Sequence, residues 1–310
     1  LAFGTISIRR VWQATEQRRS EVRGLVMTEK NQSVQKQFRR WQKSIQSMQS
    51  RLHWHCHFIQ KLEDEPAIEH RNMWSAANGL RENDFSDRHF QAWKSGCTGY
   101  PLVDACMRSL NKTGWLPFRM RALVVSFASY SLWLHWRDPG IHLAKSFLDF
   151  EPGIHWSQMQ MQSGTTGINT LRIYNPTKQA KEQDPQGTFI RKWIPELVSV
   201  PNVFIHTPWM MPAHIQQSSD CTIGSLYPKP IVDHTHALRQ AKSRFTELRQ
   251  DKKARNAACA VAVRHGSRRD RRGAMRQDQE RKYLRKKQVV DQRRDSDAAE
   301  KQALLPFAYD

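Results

Sequence analysis

Apolar residues recur at helical spacing along most of the chain, whereas the alternating runs typical of strands are scarce. This periodicity predicts helices over 31–62 (one long helix or two abutting ones), 101–110, 117–136, 141–148, 154–162 and 232–253. The helix from Pro101 begins with proline in the first turn, where proline is well tolerated. The segment 117–136 is apolar almost throughout and is expected to be buried. We therefore predict an all-α fold.

The pattern changes near residue 255, where charged clusters replace apolar periodicity. We predict a helical domain over 1–254 and a basic C-terminal extension over 255–310. Such a composition is typical of a flexible tail or of a single exposed helix, here over 277–303.

The chain of 310 residues has a formal net charge of +20. Residues 238–310 carry 21 Lys and Arg against 10 Asp and Glu, a net +11, and residues 1–237 carry the other +9. A surplus of this size favours polyanionic partners, chiefly nucleic acid, because cations that neutralise phosphates release counterions. A basic tail that only confers solubility is the alternative.

Three further features narrow the class of protein. The five cysteines contain no C-x-x-C pair, so reduced thiols and a cytoplasmic protein are expected. The apolar run 122–136 is too short to span a bilayer. His53 and His57 would share a helical face, but no third ligand stands at a recognisable spacing, so we predict no metal site.

The most specific signal is a set of three ordered blocks within about 140 residues. The first contains Trp93, Gly96, Thr98, Gly99, Pro101, Val103, Asp104, Ala105, Met107, Arg108, Thr113, Gly114 and Trp115. The second contains Arg172, Ile173, Tyr174, Asn175, Pro176, Gln179, Lys181, Asp184, Pro185, Gly187, Ile190, Trp193, Pro195, Glu196 and Leu197. The third is the run Tyr227, Pro228, Lys229, Pro230, Ile231, Val232.

These blocks resemble the flavin-domain signature of the DNA photolyase and cryptochrome family. The resemblance implies an all-α, helical FAD-binding domain with FAD as the cofactor. Residues 1–7 resemble the middle of a family element, which implies that an antenna domain, with its pigment, and a loop that holds FAD phosphates lie upstream. We expect a monomer without membrane attachment whose partner is DNA, as damaged duplex or single strand.

The resemblance also implies individual roles near the cofactor. Arg121 and Asp149 stand where the family has an ion pair against the flavin ring, and we expect that pair to be buried. Glu151 stands where an Asp usually bonds the flavin, and His55 replaces an Arg near the cofactor. His155 stands opposite flavin N5, where an imidazole would donate a hydrogen bond or a proton; the alternative is a histidine without cofactor contact.

Electron transfer and substrate binding are where the sequence departs from the family. Of three relay tryptophans only Trp136 is present, since Met159 and Asn83 replace the other two. Trp156 is a candidate substitute donor or a packing residue. In the pocket that would hold a DNA lesion, Trp54 and Trp115 are kept, whereas Arg51, Phe118, Ala122 and Met161 replace a Glu, an Asn, a Met and a Trp. Arg51 turns a hydrogen-bond acceptor into a donor.

Three functions are consistent with these residues. The first is light-dependent repair of pyrimidine photolesions by electron transfer from reduced flavin, as in a deoxyribodipyrimidine photolyase. The second is a cryptochrome-like blue-light receptor without repair activity, and the third is a DNA-binding flavoprotein without light chemistry. The basic domain favours the first, while the altered pocket and relay favour the second.

Overall fold

The computed structural model describes residues 2–266, and within that range it contains helices and one isolated bridge between Ile223 and Tyr227 but no sheet. The all-α prediction is confirmed. The helices are α1 (Ile8–Thr28), α2 (Gln32–Asp64), α3 (Asp87–Ser95), α4 (Pro101–Thr113), α5 (Phe118–Ser126), α6 (Arg137–Ser146), α7 (Pro152–Ser163), α8 (Pro176–Gln183), α9 (Thr188–Trp193), α10 (Ala213–Ser218), α11 (His234–Gln250) and α12 (Lys252–His265). The helix predicted over 277–303 lies outside the described residues.

Helices α1 and α2 form a long antiparallel hairpin at the start of the chain. The side chain of Ser7 caps α1 and that of Asn31 caps α2. Both accept backbone N–H groups that would otherwise lack a partner. The segment predicted over 31–62 is therefore one helix rather than two. Its C-terminal half packs on α7 at Gly153, where an added Cβ would lie 2.8 Å from the Cα of Ile59.

The segment 117–136 is buried as predicted, but it is not one helix. Helix α5 ends at Ser126, and the chain continues through a wider helical turn over Phe127–Ser131. Trp133 then adopts a left-handed conformation, with a φ of 57°, before α6 begins. Because apolar residues face every side of the segment 117–136, the sequence pattern predicts that it is buried. The pattern has no helical period, so it does not distinguish a continuous helix from an interrupted one.

A buried carboxylate joins the first and third sequence blocks. Asp104, on α4, accepts hydrogen bonds from the backbone N–H and hydroxyl of Thr98 (2.8 and 2.6 Å) and from the N–H of Gly99 (2.9 Å). The hydroxyl of Tyr227 donates a fourth at 2.6 Å. Burial raises the pKa of Asp104, and these four donors oppose that shift. Gly99 has a φ of 80°, and a Cβ there would lie 2.4 Å from the carbonyl oxygen of Lys229.

The first and second blocks are joined by an ion pair between Arg108 and Glu196. Nη1 of Arg108 lies 2.9 and 2.8 Å from the two carboxylate oxygens of Glu196. Neither this pair nor the residues around Asp104 line the two cavities described below. These residues of the three blocks therefore hold the helices together and line neither cavity.

Helix α12 corrects the predicted domain boundary after residue 254. The helix starts at Lys252, and its Ala254 is buried, with the carbonyl oxygen accepting the indole N–H of Trp74 at 2.8 Å. At the other end, His265 is buried against Glu65. Residues 255–266 are thus part of the packed domain, and only residues beyond 266 are left of the predicted tail. Small alanine side chains allow this close packing of a charged sequence.

Candidate functional site

Helices α5, α6 and α7 and the segment 147–151 enclose a cavity of about 360 Å³, called here the first cavity. Its walls combine apolar side chains with a few polar ones, as is usual for small-molecule sites. The polar residues of the lining are Arg121, Asp149, Glu151, His155, Gln158 and Gln162. Four of these six are residues for which the sequence predicted a contact with the cofactor.

Arg121 and Asp149 form the predicted ion pair at the edge of the first cavity, with Nη2 of the guanidinium 2.9 Å from Oδ2 of the carboxylate. The Nε–H of Arg121 also donates to the carbonyl oxygen of Leu116 at 2.7 Å, and the guanidinium lies 4.1 Å from the ring centre of Phe147. The expected burial of the pair is wrong, because the side chains are 25% and 45% exposed. The loop position of Asp149 leaves one side of the pair open to the cavity.

His155 projects from the first turns of α7 and is 9% exposed. Its Nε2 lies 2.9 Å from the carbonyl oxygen of Gly140. Since a carbonyl can only accept, Nε2 carries the hydrogen, and the neutral ring then has its lone pair on Nδ1. Burial, and to a smaller extent the charge of Arg121, lower the pKa of His155 to about 4, although the Gly140 bond opposes this.

This geometry corrects the role predicted for His155. At neutral pH the ring is uncharged, and the one hydrogen that it carries is directed to the protein backbone. It therefore has no proton to deliver to a ligand in the first cavity. It can instead accept a hydrogen bond through Nδ1.

Two glutamines of α7 were missed by the sequence reasoning. The Oε1 of Gln158 and both amide atoms of Gln162 are buried without a protein partner within residues 2–266. Gln160, between them, is fully engaged: it accepts the N–H of Met73 at 2.8 Å and donates to two carbonyl oxygens. Unpartnered buried amides are costly, and such groups indicate a missing ligand or water. The alternation of Gln with apolar residues over 158–162 was the available signal.

Glu151 precedes α7 and also lines the first cavity. Its side chain makes no capping hydrogen bond to the helix that it precedes. The carboxylate therefore belongs to the polar rim of the cavity, beside the Arg121–Asp149 pair.

The aromatic residues proposed for electron transfer are in contact. The rings of Trp136 and Trp156 meet edge to face, with centres 6.1 Å apart, and both are buried. Trp156 also contacts His155, with ring centres 4.8 Å apart. Met159 lines the first cavity, and Asn83 is an exposed residue before α3. A series of ring contacts thus leads from His155, in the wall of the first cavity, through Trp156 to Trp136.

A second cavity, of about 830 Å³, adjoins the first and shares Phe118, Ile154 and Gln158 with it. Of the predicted substrate residues, Arg51, Trp54, Phe118 and Met161 line this second cavity. Trp115 lies on the first cavity instead, 54% exposed. His55, expected near the cofactor, lines the second cavity with its Nδ1 buried and unpartnered within the described residues. Lys61, Arg172 and His265 also line it, and the sequence reasoning missed all three.

Residues 2–266 lack two further features, a metal centre and a membrane-spanning helix. No group of three or more His, Cys, Asp or Glu side chains is placed to hold a metal ion. Over the same residues, no helix combines the length and the apolar character needed to cross a membrane.

Comparison with known proteins gives a consistent answer. Residues 48–247 match the family described as the FAD binding domain of DNA photolyase. The chain is 38% identical over 167 residues to the deoxyribodipyrimidine photo-lyase of Escherichia coli. The aligned segment covers 53% of this chain and 34% of that protein. It is also 38% identical over 183 residues to Cryptochrome-1 of Arabidopsis thaliana, covering 58% of this chain and 26% of that one.

A solved structure agrees with these sequence matches. A bacterial class III photolyase from Agrobacterium tumefaciens superposes with a TM-score of 0.63 at 28% identity, covering 81% of this chain and 48% of that one. The chain spans about a third of the length of the curated relatives that it matches.

The first cavity fits a flavin by its chemistry. A flavin ring presents hydrogen-bond donors and acceptors along one edge, and protein partners there tune its redox behaviour. The cavity offers both, through the unpartnered amide of Gln162, the acceptor of His155 and the charges of Arg121 and Asp149. With this fit and the match over residues 48–247, the chain belongs to the family of FAD-binding domains of DNA photolyases, and FAD is its cofactor.

Proposed function

We propose that this protein repairs pyrimidine photolesions in DNA in a light-dependent reaction, as a lyase. The observation that supports this best is the pair of adjoining cavities with a shared wall. One carries the polar partners of a flavin, and the other is lined by aromatic and cationic side chains suited to a nucleotide. The net charge of +20 supports DNA as the partner, through attraction to phosphates.

Cofactor binding would depend on the polar lining of the first cavity. Bound there in its reduced form, FAD supplies an electron donor that light can excite. Arg121, Asp149 and Gln162 would orient the ring by hydrogen bonds, and Glu151 would extend the polar rim. His155 would accept a hydrogen bond from a ring N–H, since its own hydrogen is held by Gly140. The apolar walls from α5 and α6 exclude water.

Substrate binding would use the second cavity. Trp54 and Phe118 are 41% and 62% exposed, so their faces are available for stacking against a base turned out of the helix. Each stacked base contributes about 1–3 kcal/mol, comparable with the few kcal/mol needed to flip a damaged nucleotide. Arg51 would donate hydrogen bonds to base carbonyls, and Met161 would close the apolar side.

Reduction of the flavin would use the Trp156–Trp136 pair in place of the usual relay. The contact between these rings and the buried position of both support electron transfer between them. Because Met159 replaces the tryptophan expected beside the cofactor, Trp156 would take over as the first donor.

The compartment proposed is the cytoplasm, with the protein acting as a monomer. Cys56 and Cys97 are exposed thiols outside any disulfide. Exposed thiols without disulfides are typical of reducing compartments.

The direct test is a repair assay on the full-length chain loaded with FAD and reduced. Oligonucleotides carrying a cyclobutane dimer or a (6-4) product are irradiated with blue light, and the loss of each lesion is measured against a dark control. Repair of either lesion supports the proposal. Absence of repair of both by a protein that holds reduced FAD refutes it.

The second candidate function is a cryptochrome-like photoreceptor. It is favoured by Arg51, which presents donors where repair enzymes of the family present an acceptor. In that case the protein would undergo light-dependent flavin reduction and would bind damaged and undamaged DNA equally. The repair assay and a competition binding assay with the two DNAs separate the candidates.

A further inference from the structure

Lys61 is a buried cation in the wall of the second cavity. It lies in the last turn of α2, and the residue is 8% exposed. Its ammonium group lies 5.6 Å from the ring centre of Phe58. Within residues 2–266, no carboxylate lies within ion-pair distance of it, and burial lowers its pKa to about 8. A cation removed from water without an anionic partner destabilises the protein unless a ligand supplies the missing charge.

The surroundings of Lys61 are also basic. His265 and Arg172 line the same cavity from α12 and from the segment before α8, and Arg51 and His55 line it from α2. The nearest acid to His265 is Glu65, which is already engaged by His265 and by Arg264. Arg51, Lys61 and Arg172 therefore give the lining of the second cavity a positive charge, and no carboxylate is part of that lining.

The same cavity contains rings suited to a base. Trp54 and Phe118 are exposed toward it, and its volume of about 830 Å³ is in the range of small-molecule sites. Rings on the wall beside a buried, unpaired ammonium match the two parts of a nucleotide: a base with a flat face and a phosphate with a negative charge.

We propose that Lys61, with Arg172, forms a phosphate site for a nucleotide whose base stacks on the aromatic residues of the second cavity. Helix α12 lies beyond the segment matched to the family, residues 48–247, and its His265 forms part of the same cavity wall, with Nε2 held by Glu65. The phosphate could come from a DNA strand or from FAD. The inference rests on the second cavity being a nucleotide site, as proposed above, but not on the photochemistry.

The test is competitive acylation of lysines in the full-length chain, kept in the dark, with the extent at each lysine measured by mass spectrometry. Reactivity at pH 8 is compared in chloride, inorganic phosphate, thymidine, thymidine 5′-monophosphate, oligothymidylate and FAD at equal ionic strength. Since the pKa of Lys61 is about 8, half of its amines are deprotonated at pH 8, and a bound phosphate that raises this pKa by one unit should lower the reactivity about fivefold. Lys43, an exposed lysine of the same helix, should be unchanged.

Matched variants provide a second measurement. Lys61→Met keeps the length of the side chain and removes the charge, and it should weaken the monophosphate about tenfold or more, as expected for a hydrogen bond to a charged group. Binding of thymidine should not change. Lys43→Met should affect neither ligand.

The outcomes are distinct. Protection by the monophosphate and oligonucleotide supports a DNA phosphate, whereas protection by FAD alone keeps the phosphate site and assigns it to the cofactor. Protection by thymidine as strong as by its monophosphate, or no protection by any phosphate, overturns the inference. Photorepair by a chain without such protection would overturn the phosphate site while leaving the proposed function intact.

Discussion

Replacing Asp149 by Asn removes the charge of the Arg121–Asp149 pair and preserves the size of the side chain. We expect this variant to lose most of its affinity for FAD while folding almost as well as the original protein. The reason is the position of the pair, which lies at the edge of the first cavity with side chains 25% and 45% exposed.

The magnitudes follow from that exposure. An ion pair accessible to solvent contributes about 0–1 kcal/mol to the free energy of unfolding. Arg121 would also remain held by its bond to the Leu116 carbonyl and by its contact with the ring of Phe147. A charged hydrogen bond to a bound ligand contributes about 1.5–3 kcal/mol. Its loss should therefore raise the Kd for FAD by a factor of roughly ten to a hundred.

Asp104→Asn is the matched control, because it makes the same chemical change in a buried carboxylate that lines neither cavity. Asp104 accepts four hydrogen bonds, from Thr98, Gly99 and Tyr227. An Asn amide has one acceptor oxygen and would turn its NH₂ group toward donors. We expect a loss of about 3–5 kcal/mol in the free energy of unfolding, as for other disrupted buried charge networks.

Urea unfolding of the proteins without FAD measures the first quantity, and a fluorescence titration with FAD measures the second. The reasoning is refuted if Asp149→Asn lowers the free energy of unfolding by as much as Asp104→Asn. An unchanged Kd for FAD in Asp149→Asn would remove the pair from the cofactor site.

Three further predictions concern other parts of the molecule. Because the pKa of His155 falls from 6.5 to about 4 on folding, the protein should lose about 3 kcal/mol of stability between pH 6.5 and pH 4; His155→Phe should abolish this part of the loss in acid unfolding curves. Trp156→Phe and Trp136→Phe should slow blue-light reduction of FAD to a similar extent, whereas Trp93→Phe, at a buried tryptophan outside the path, should not; a rate unchanged in Trp156→Phe would contradict the path. Deleting residues 267–310 should weaken binding to damaged and undamaged duplex by the same factor and reduce the salt dependence, leaving any preference for damaged DNA intact, since tail charges bind phosphates without reading bases; a filter-binding assay that finds no preference for damaged DNA before truncation and equal loss for both DNAs after it would argue against a lesion-reading cavity.

The sequence predicted the bounds of a helix well where one face of the helix is polar and the other apolar, and poorly where no such division exists. Helix α2 has one apolar stripe, and its extent was predicted within two residues at each end. The apolar segment 117–136 has no such stripe, and the interruption near Trp133 depends on tertiary packing that no local pattern reports. Helix α12 was assigned to the tail because its charges obscured an alanine-rich face.

In the candidate site, too, the sequence predicted which residues are present but not the properties that depend on tertiary packing. Alignment with the family located Arg121, Asp149 and Glu151 on one cavity, but not the exposure of the pair, which depends on the course of the segment 147–151. The tautomer of His155 could not be predicted, because it is fixed by a carbonyl from another helix. Lys61 carried no signal either, since one lysine near a helix end is ordinary until its burial is known.

Many of the residues that identify the family hold the helices together, whereas the substrate depends on the residues of the second cavity. The family could therefore be predicted from the sequence more easily than the function. Thr98, Gly99, Asp104 and Tyr227 carry much of the resemblance, and they bind one another away from both cavities. A chain can therefore keep the signature, the helical domain and the flavin site while the second cavity changes its hydrogen bonding. Since the lesion would be read by that cavity, the substrate must be decided by experiments on its own residues, beginning with Arg51. There a donor stands in place of an acceptor, and the preference for a particular photoproduct should differ most from that of the relatives.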